Sequence, residues 1–214
     1  MTSFPTLFTQ TPAAGLPIAR PAAAGATVPL VIGCDMALVT SGIAGPGWTD
    51  LIRTGNRRGE ERLDYIVETA ASFYRLADFV TIEGPAYSTA KQTGHDEMSA
   101  LRWMIRCDLR RRGIPFAVVN PDSRTIYATG KARWKDDEGR KLSSRQVKGL
   151  VRDAVAVQYG IECSGTHRYD EADAYVLMAM GADWLGYPLV ELPPTHRRAL
   201  KGVPWPTTPV AVAR

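Results

Sequence analysis

The chain has 214 residues, 45% of them hydrophobic and 22% charged, which is enough for one full-sized domain with one core. A formal net charge of +4 and a pI near 9.0 give a modest basic excess, which assists a polyanionic partner without requiring one. Cys34, Cys107 and Cys163 are odd in number and lack CxxC spacing, arguing against a zinc knuckle or a disulfide framework and for a reducing compartment; no window approaches about eighteen consecutive apolar residues, so a soluble, unsecreted protein without a membrane segment is expected.

Residues 1–27 are rich in Ala, Pro, Thr and Gly, carry almost no charge and show no sustained period, the composition of a flexible arm. Residues 28–187 hold the periodic segments of the expected domain, and residues 188–214 form a Pro-rich tail expected to be irregular. The domain opens on Pro29-Leu30-Val31-Ile32-Gly33-Cys34-Asp35, an apolar run of strand length that ends on a carboxylate. Residues 37–44 can return as a second strand. Gly45-Pro46-Gly47 then turns the chain into a third, around Trp48 to Arg53, making an antiparallel meander. In Glu60 to Leu76 the residues Leu63, Ile66, Val67, Ala70, Phe73 and Tyr74 recur at helical spacing. Phe79-Val80-Thr81-Ile82-Glu83 repeats the opening pattern, an apolar run closed by an acid. A right-handed crossover through the intervening helix sets this strand parallel to the one ending at Asp35.

Gly94 to Arg112 reads as the next helix, with Met98, Leu101, Ile105 and Leu109 on one side. Its arginines toward the C-terminus suit either the helix dipole or a phosphate. Phe116 to Val119 is a short strand, and Asn120-Pro121-Asp122 opens a loop. From Arg124 to Lys148 runs the densest basic stretch, with Lys131, Arg133, Lys135 and Arg145 along it and Tyr127 and Trp134 interleaved. Such a run is equally a solvated mobile loop or a tracker of a phosphate backbone. Ser143 or Ser144 can cap a helix to about Tyr159. The last helix, about Tyr169 to Leu185, starts with Asp170 and Asp173 three apart on one face.

Asp35 and Glu83 both stand at carboxyl ends of strands, where ligands of parallel sheets gather, and the helix from Tyr169 can bring Asp170 and Asp173 to the same edge. Carboxylates without His or Cys partners suit hard divalent ions such as Mg2+ or Mn2+ rather than zinc. Two such ions about 4 Å apart can activate a water and stabilise the leaving oxygen of a phosphodiester.

These residues resemble the RuvC-type Holliday-junction resolvases of the RNase H-like superfamily over roughly residues 29–185. The resemblance is carried by Ile32-Gly33-Cys34-Asp35 with Thr40-Ser41-Gly42-Ile43, by Ile82-Glu83, by the segments from Asn120-Pro121 to Arg124, Thr129-Gly130-Lys131 and Ser144-Arg145-Gln146-Val147, and by Asp170-Glu171-Ala172-Asp173-Ala174. It implies an α/β fold, an RNase H-like mixed sheet with an antiparallel three-strand meander plus parallel strands, flanked by helices. It implies that Asp35, Glu83, Asp170 and Asp173 are catalytic and bind Mg2+ or Mn2+, and that Arg124 contacts DNA, along with Lys131, Arg133, Lys135, Arg145 and Lys148. It further implies a homodimer that cuts branched DNA symmetrically. The sequence departs from the family in Met36-Ala37-Leu38, where small residues are usual, and in an insertion around Trp134 to Lys141. The added arm and tail are the form expected of a viral member working in a host cytoplasm. A non-cleaving DNA-binding scaffold of the same fold stays open as an alternative. An actin-like ATPase or sugar kinase shares the core but needs a duplicated domain that 214 residues do not supply. His95 and His167 are candidates for proton transfer or phosphate contact, or are ordinary surface histidines.

Overall fold

The structure, a computed structural model, describes residues 28–85 and 94–207. The expected arm, the segment 86–93 and the last seven residues lie outside that range. A five-stranded sheet has the order β3-β2-β1-β4-β5, built from β1 (Val31–Asp35), β2 (Thr40–Gly45), β3 (Trp48–Arg53), β4 (Phe79–Glu83) and β5 (Phe116–Val119). β1, β2 and β3 form the antiparallel meander, while β4 lies parallel to β1 and β5 parallel to β4. The mixed sheet expected from the sequence is thus present.

Helices α1 (Gly59–Tyr74) and α2 (His95–Arg111) cover one face of the sheet. α3 (Pro121–Thr129), α4 (Ser144–Tyr159) and α5 (Arg168–Trp184) cover the other. The alternation of side chains along each strand divides the core accordingly. Ile32 and Cys34 of β1 and Val80 and Ile82 of β4 pack toward α1 and α2, whereas Val31 and Phe79 pack toward α5. By the same alternation Gly33 and Asp35 share the face of Val31, and Thr81 and Glu83 share the face of Phe79. A shift of one residue in either strand would send its acid to the opposite face.

α5 is buried from Ala172 through Asp183, so it runs through the interior instead of showing one apolar stripe. It approaches the sheet closely at two points where the strands carry glycine. A Cβ on Gly33 would lie 2.1 Å from the carbonyl oxygen of Ala174, and one on Gly42 would lie 2.0 Å from that of Asp170. The Thr81 hydroxyl donates to the Leu177 carbonyl at 2.6 Å and fastens the helix to β4.

Two segments depart from expectation. The loop expected to open at Asn120 is α3: the Asn120 side chain caps it by accepting from the Asp122 amide at 2.8 Å, and Pro121 takes the first turn, where its missing N–H costs nothing. The single basic loop of 124–148 therefore divides into this helix, a folded turn and the start of α4. In the turn Lys135 bridges Lys141, and Arg140 pairs with Asp136 and Glu138. The tail expected to be irregular instead forms α6 (Pro194–Arg197) and a 3-10 turn, Arg198–Gly202. Leu192, Ala199 and Val203 enter the core, and Trp205 stacks on Trp184 with ring centroids 4.9 Å apart. Arg197 donates to buried Asp183 at 3.0 and 2.6 Å, and the Tyr127 hydroxyl donates to the same carboxylate at 3.0 Å, so the tail is tied to α3 and α5.

Candidate metal centre and nucleic-acid interface

Three elements, β1, β4 and α5, deliver the four acids to one edge of the sheet. Gly33 and Cys34 pair with Thr81 and Ile82 in the parallel register, and the next step along both strands sets Asp35 beside Glu83. Asp35 also pairs across the meander with Gly42, the residue on which the Asp170 carbonyl rests. The first turn of α5 therefore comes down on Asp35, and Asp173, one turn further, points into the interior with 1% exposure. Asp35 is 8% exposed, while Glu83 and Asp170 are partly open, so the cluster is deep on one side and accessible on the other.

The electrostatics show the acids acting on one another. Glu83 is pushed up to about 8, first by burial, then by the Asp35 charge, with Arg124 opposing; its carboxyl also shares a hydrogen bond with Asp35. Asp170 is raised as well, by burial and then by Asp35, against the pull of Lys148 and His167. His167 stands at the N-terminus of α5 with its Nδ1 3.4 Å from Asp170 Oδ2. His95 begins α2 on the other face of the sheet and is exposed.

Of the six basic residues expected to meet DNA, two stand in this cluster. Arg124, carried by the first turn of α3 directly after β5, is 6% exposed rather than lying on an open loop. Its Nε is 3.2 Å from Glu83 Oε1 and its Nη1 pairs with Asp173 Oδ1. Lys148, from α4, reaches Asp173 Oδ2 at 3.3 Å and Asp170 Oδ1 at 3.7 Å. α4 is held in place by a capping box between Ser143 and Gln146. The other four, Lys131, Arg133, Lys135 and Arg145, are exposed. Lys131 lies over the Trp134 ring at 4.9 Å, and the indole N–H of Trp134 donates to Thr129, which steadies the turn that bears them. Arg168, which sequence reasoning passed over, stacks on Tyr169 at 4.7 Å, and together with Arg145 it bonds to and lowers the Tyr169 hydroxyl next to Asp170.

Among the described residues no three His, Cys, Asp or Glu side chains are arranged as a finished coordination shell. Arg124 and Lys148 sit between the carboxylates instead. The donors nonetheless suit a hard divalent cation in kind and in charge. Four carboxylates face two permanent cations, and Glu83 Oε1 and both Asp173 oxygens are buried without accepting a hydrogen bond. Among the described residues no ion pair reaches Asp35.

No protein-family model matches the chain, and no curated protein matches it. Solved structures do, among them RuvC of Thermus thermophilus, with a TM-score of 0.54 and 14% identity over 74% of this chain and 97% of that one, and T. thermophilus RuvC in complex with a Holliday junction substrate, with a TM-score of 0.51 and 13% identity over 74% and 96%. At such identity the similarity is one of fold. The mixed sheet and its flanking helices are the RNase H-like fold of these RuvC structures.

Proposed function

We propose that this protein is a metal-dependent endonuclease that hydrolyses phosphodiesters in branched DNA, in the manner of a Holliday-junction resolvase. One observation carries the reading: Asp35, Glu83, Asp170 and Asp173, spread over more than half of the chain, converge on one partly open edge of the sheet. The RuvC fold, seen in one of its structures around a Holliday junction, adds to it. Asp35 and Asp173 are the principal holders of Mg2+ or Mn2+ in this reading, with Glu83 and Asp170 beside them. A bound divalent ion supplies charge stabilisation at the phosphate and an activated water. The chain's own contribution is to hold the acids in a buried, water-poor place where their charge is strong, and to leave the Asp170 side open to a DNA backbone. Lys131, Arg133, Lys135 and Arg145 contact phosphates and position the duplex without reading bases. A homodimer, one copy for each of two symmetric cuts, completes the proposal. Exposed Trp103 and Cys107 on α2, beside a groove of about 460 Å3 between α1 and α2, offer a surface for the second copy.

The presence of Arg124 among the acids favours a second reading, a DNA-binding scaffold that does not cut. A labelled four-way junction with Mg2+ separates the two. Under the nuclease reading the wild type nicks the junction, and Asp35→Asn abolishes nicking while binding persists. Binding without nicking by the wild type would establish the scaffold.

A further inference from the structure

The cation contacts inside the cluster bear on how many ions it can hold. Arg124 reaches Glu83 and Asp173, and Lys148 takes the second oxygen of Asp173 and one of Asp170. The two side chains differ in freedom. Lys148 is 40% exposed on a flexible stem and can swing into solvent, whereas the Arg124 side chain is 7% exposed. Arg124 stands in the first turn of a capped helix, its amide donating to the Asn120 carbonyl at 3.1 Å, and its buried side chain has far less room to leave the cluster than that of Lys148.

Charge decides the capacity. Once Glu83 gives up its proton to an incoming cation, one divalent ion added to the four carboxylates, Arg124 and Lys148 gives a neutral cluster. Two ions with both side chains in place would bury an excess of positive charge, which is costly in a poorly solvated site. The free place is on the side of Asp35, which no ion pair among the described residues reaches, while the oxygens between Glu83 and Asp173 are taken.

We propose that Arg124 permanently fills one of two cation places in this cluster, so that the protein works with a single divalent ion and a guanidinium in place of the second. The inference rests on the metal reading of the acids given above and narrows it. A guanidinium can stabilise developing negative charge on a phosphate as a metal does, but it cannot generate a hydroxide; the water-activating role therefore falls to the Asp35 side alone.

Isothermal titration of the full-length protein with Mn2+, without DNA, tests this directly. The wild type is expected to bind one ion per chain, Arg124→Gln two, and Arg124→Lys one, since lysine keeps the charge. Two ions in the wild type, or one in a folded Arg124→Gln, would overturn the inference and leave the nuclease proposal standing. If the wild type binds no Mn2+ at all, both fall. The wild-type stoichiometry decides the matter even if the glutamine variant fails to fold.

Discussion

Glu83 shows how the cluster governs the energetics of single residues. Burial and the Asp35 charge raise its proton affinity in the folded protein well above its ordinary value of 4.5, to about 8. The fold therefore binds a proton that the unfolded chain releases in this range. The resulting contribution to stability is complete below about pH 4.5 and is lost as the pH rises through about 8. In metal-free buffer, the melting temperature of the wild type should fall relative to that of Glu83→Gln across this window. Parallel curves for the two proteins would show that Glu83 is not held in its acid form by its neighbours. At this scale the sequence pointed to the acids that come together, because strands that end on a carboxylate are conspicuous. It hid the burial of Arg124 among them. One arginine in a run of basic residues looks like the others until α3 turns it inward, and the signal for that helix was the Asn120-Pro121 pair, read instead as the opening of a loop.

Among the elements, α5 and the two strands beneath it set the site. Its first turn rests on Gly42 and its second on Gly33, so two missing side chains decide how close Asp170 and Asp173 come to Asp35. Gly42→Ala would force the Asp170 carbonyl away from a new methyl group. The expected result is a loss of roughly 1–3 kcal/mol from overpacking, measured by urea denaturation, together with weaker metal binding, because the acids separate. A variant that binds Mn2+ as the wild type does would show that the approach of α5 is not what assembles the site. The strands and the five longest helices lie close to what periodicity indicates, apart from α3, which is too short and too polar to display an apolar stripe, and the crossover rule places β4 beside β1. The Pro-rich tail misled for a different reason. Proline marks where regular structure stops, not where burial stops, and residues 188–207 are fixed by side chains, the Arg197–Asp183 pair and the Trp205 stack, that carry no local pattern.

For the whole molecule, the sheet separates two cores with different tasks. The core under α1 and α2 holds none of the four acids, while the one under α3, α4 and α5 ends at the acidic edge, into which Arg124 of α3 and Lys148 of α4 reach. A net charge of only +4 averages over charges on both faces and says nothing of the acids gathered at this edge. No helix among the described residues is long and apolar enough to cross a membrane.

The central claim is that four acids distant in sequence jointly hold a divalent cation, and crystals soaked in Mn2+ test it most directly through the anomalous difference map. The account predicts a peak enclosed by Asp35, Glu83, Asp170 and Asp173 at the carboxyl ends of β1 and β4. A map whose peaks all lie elsewhere, with these carboxylates still paired only to Arg124 and Lys148, would contradict it.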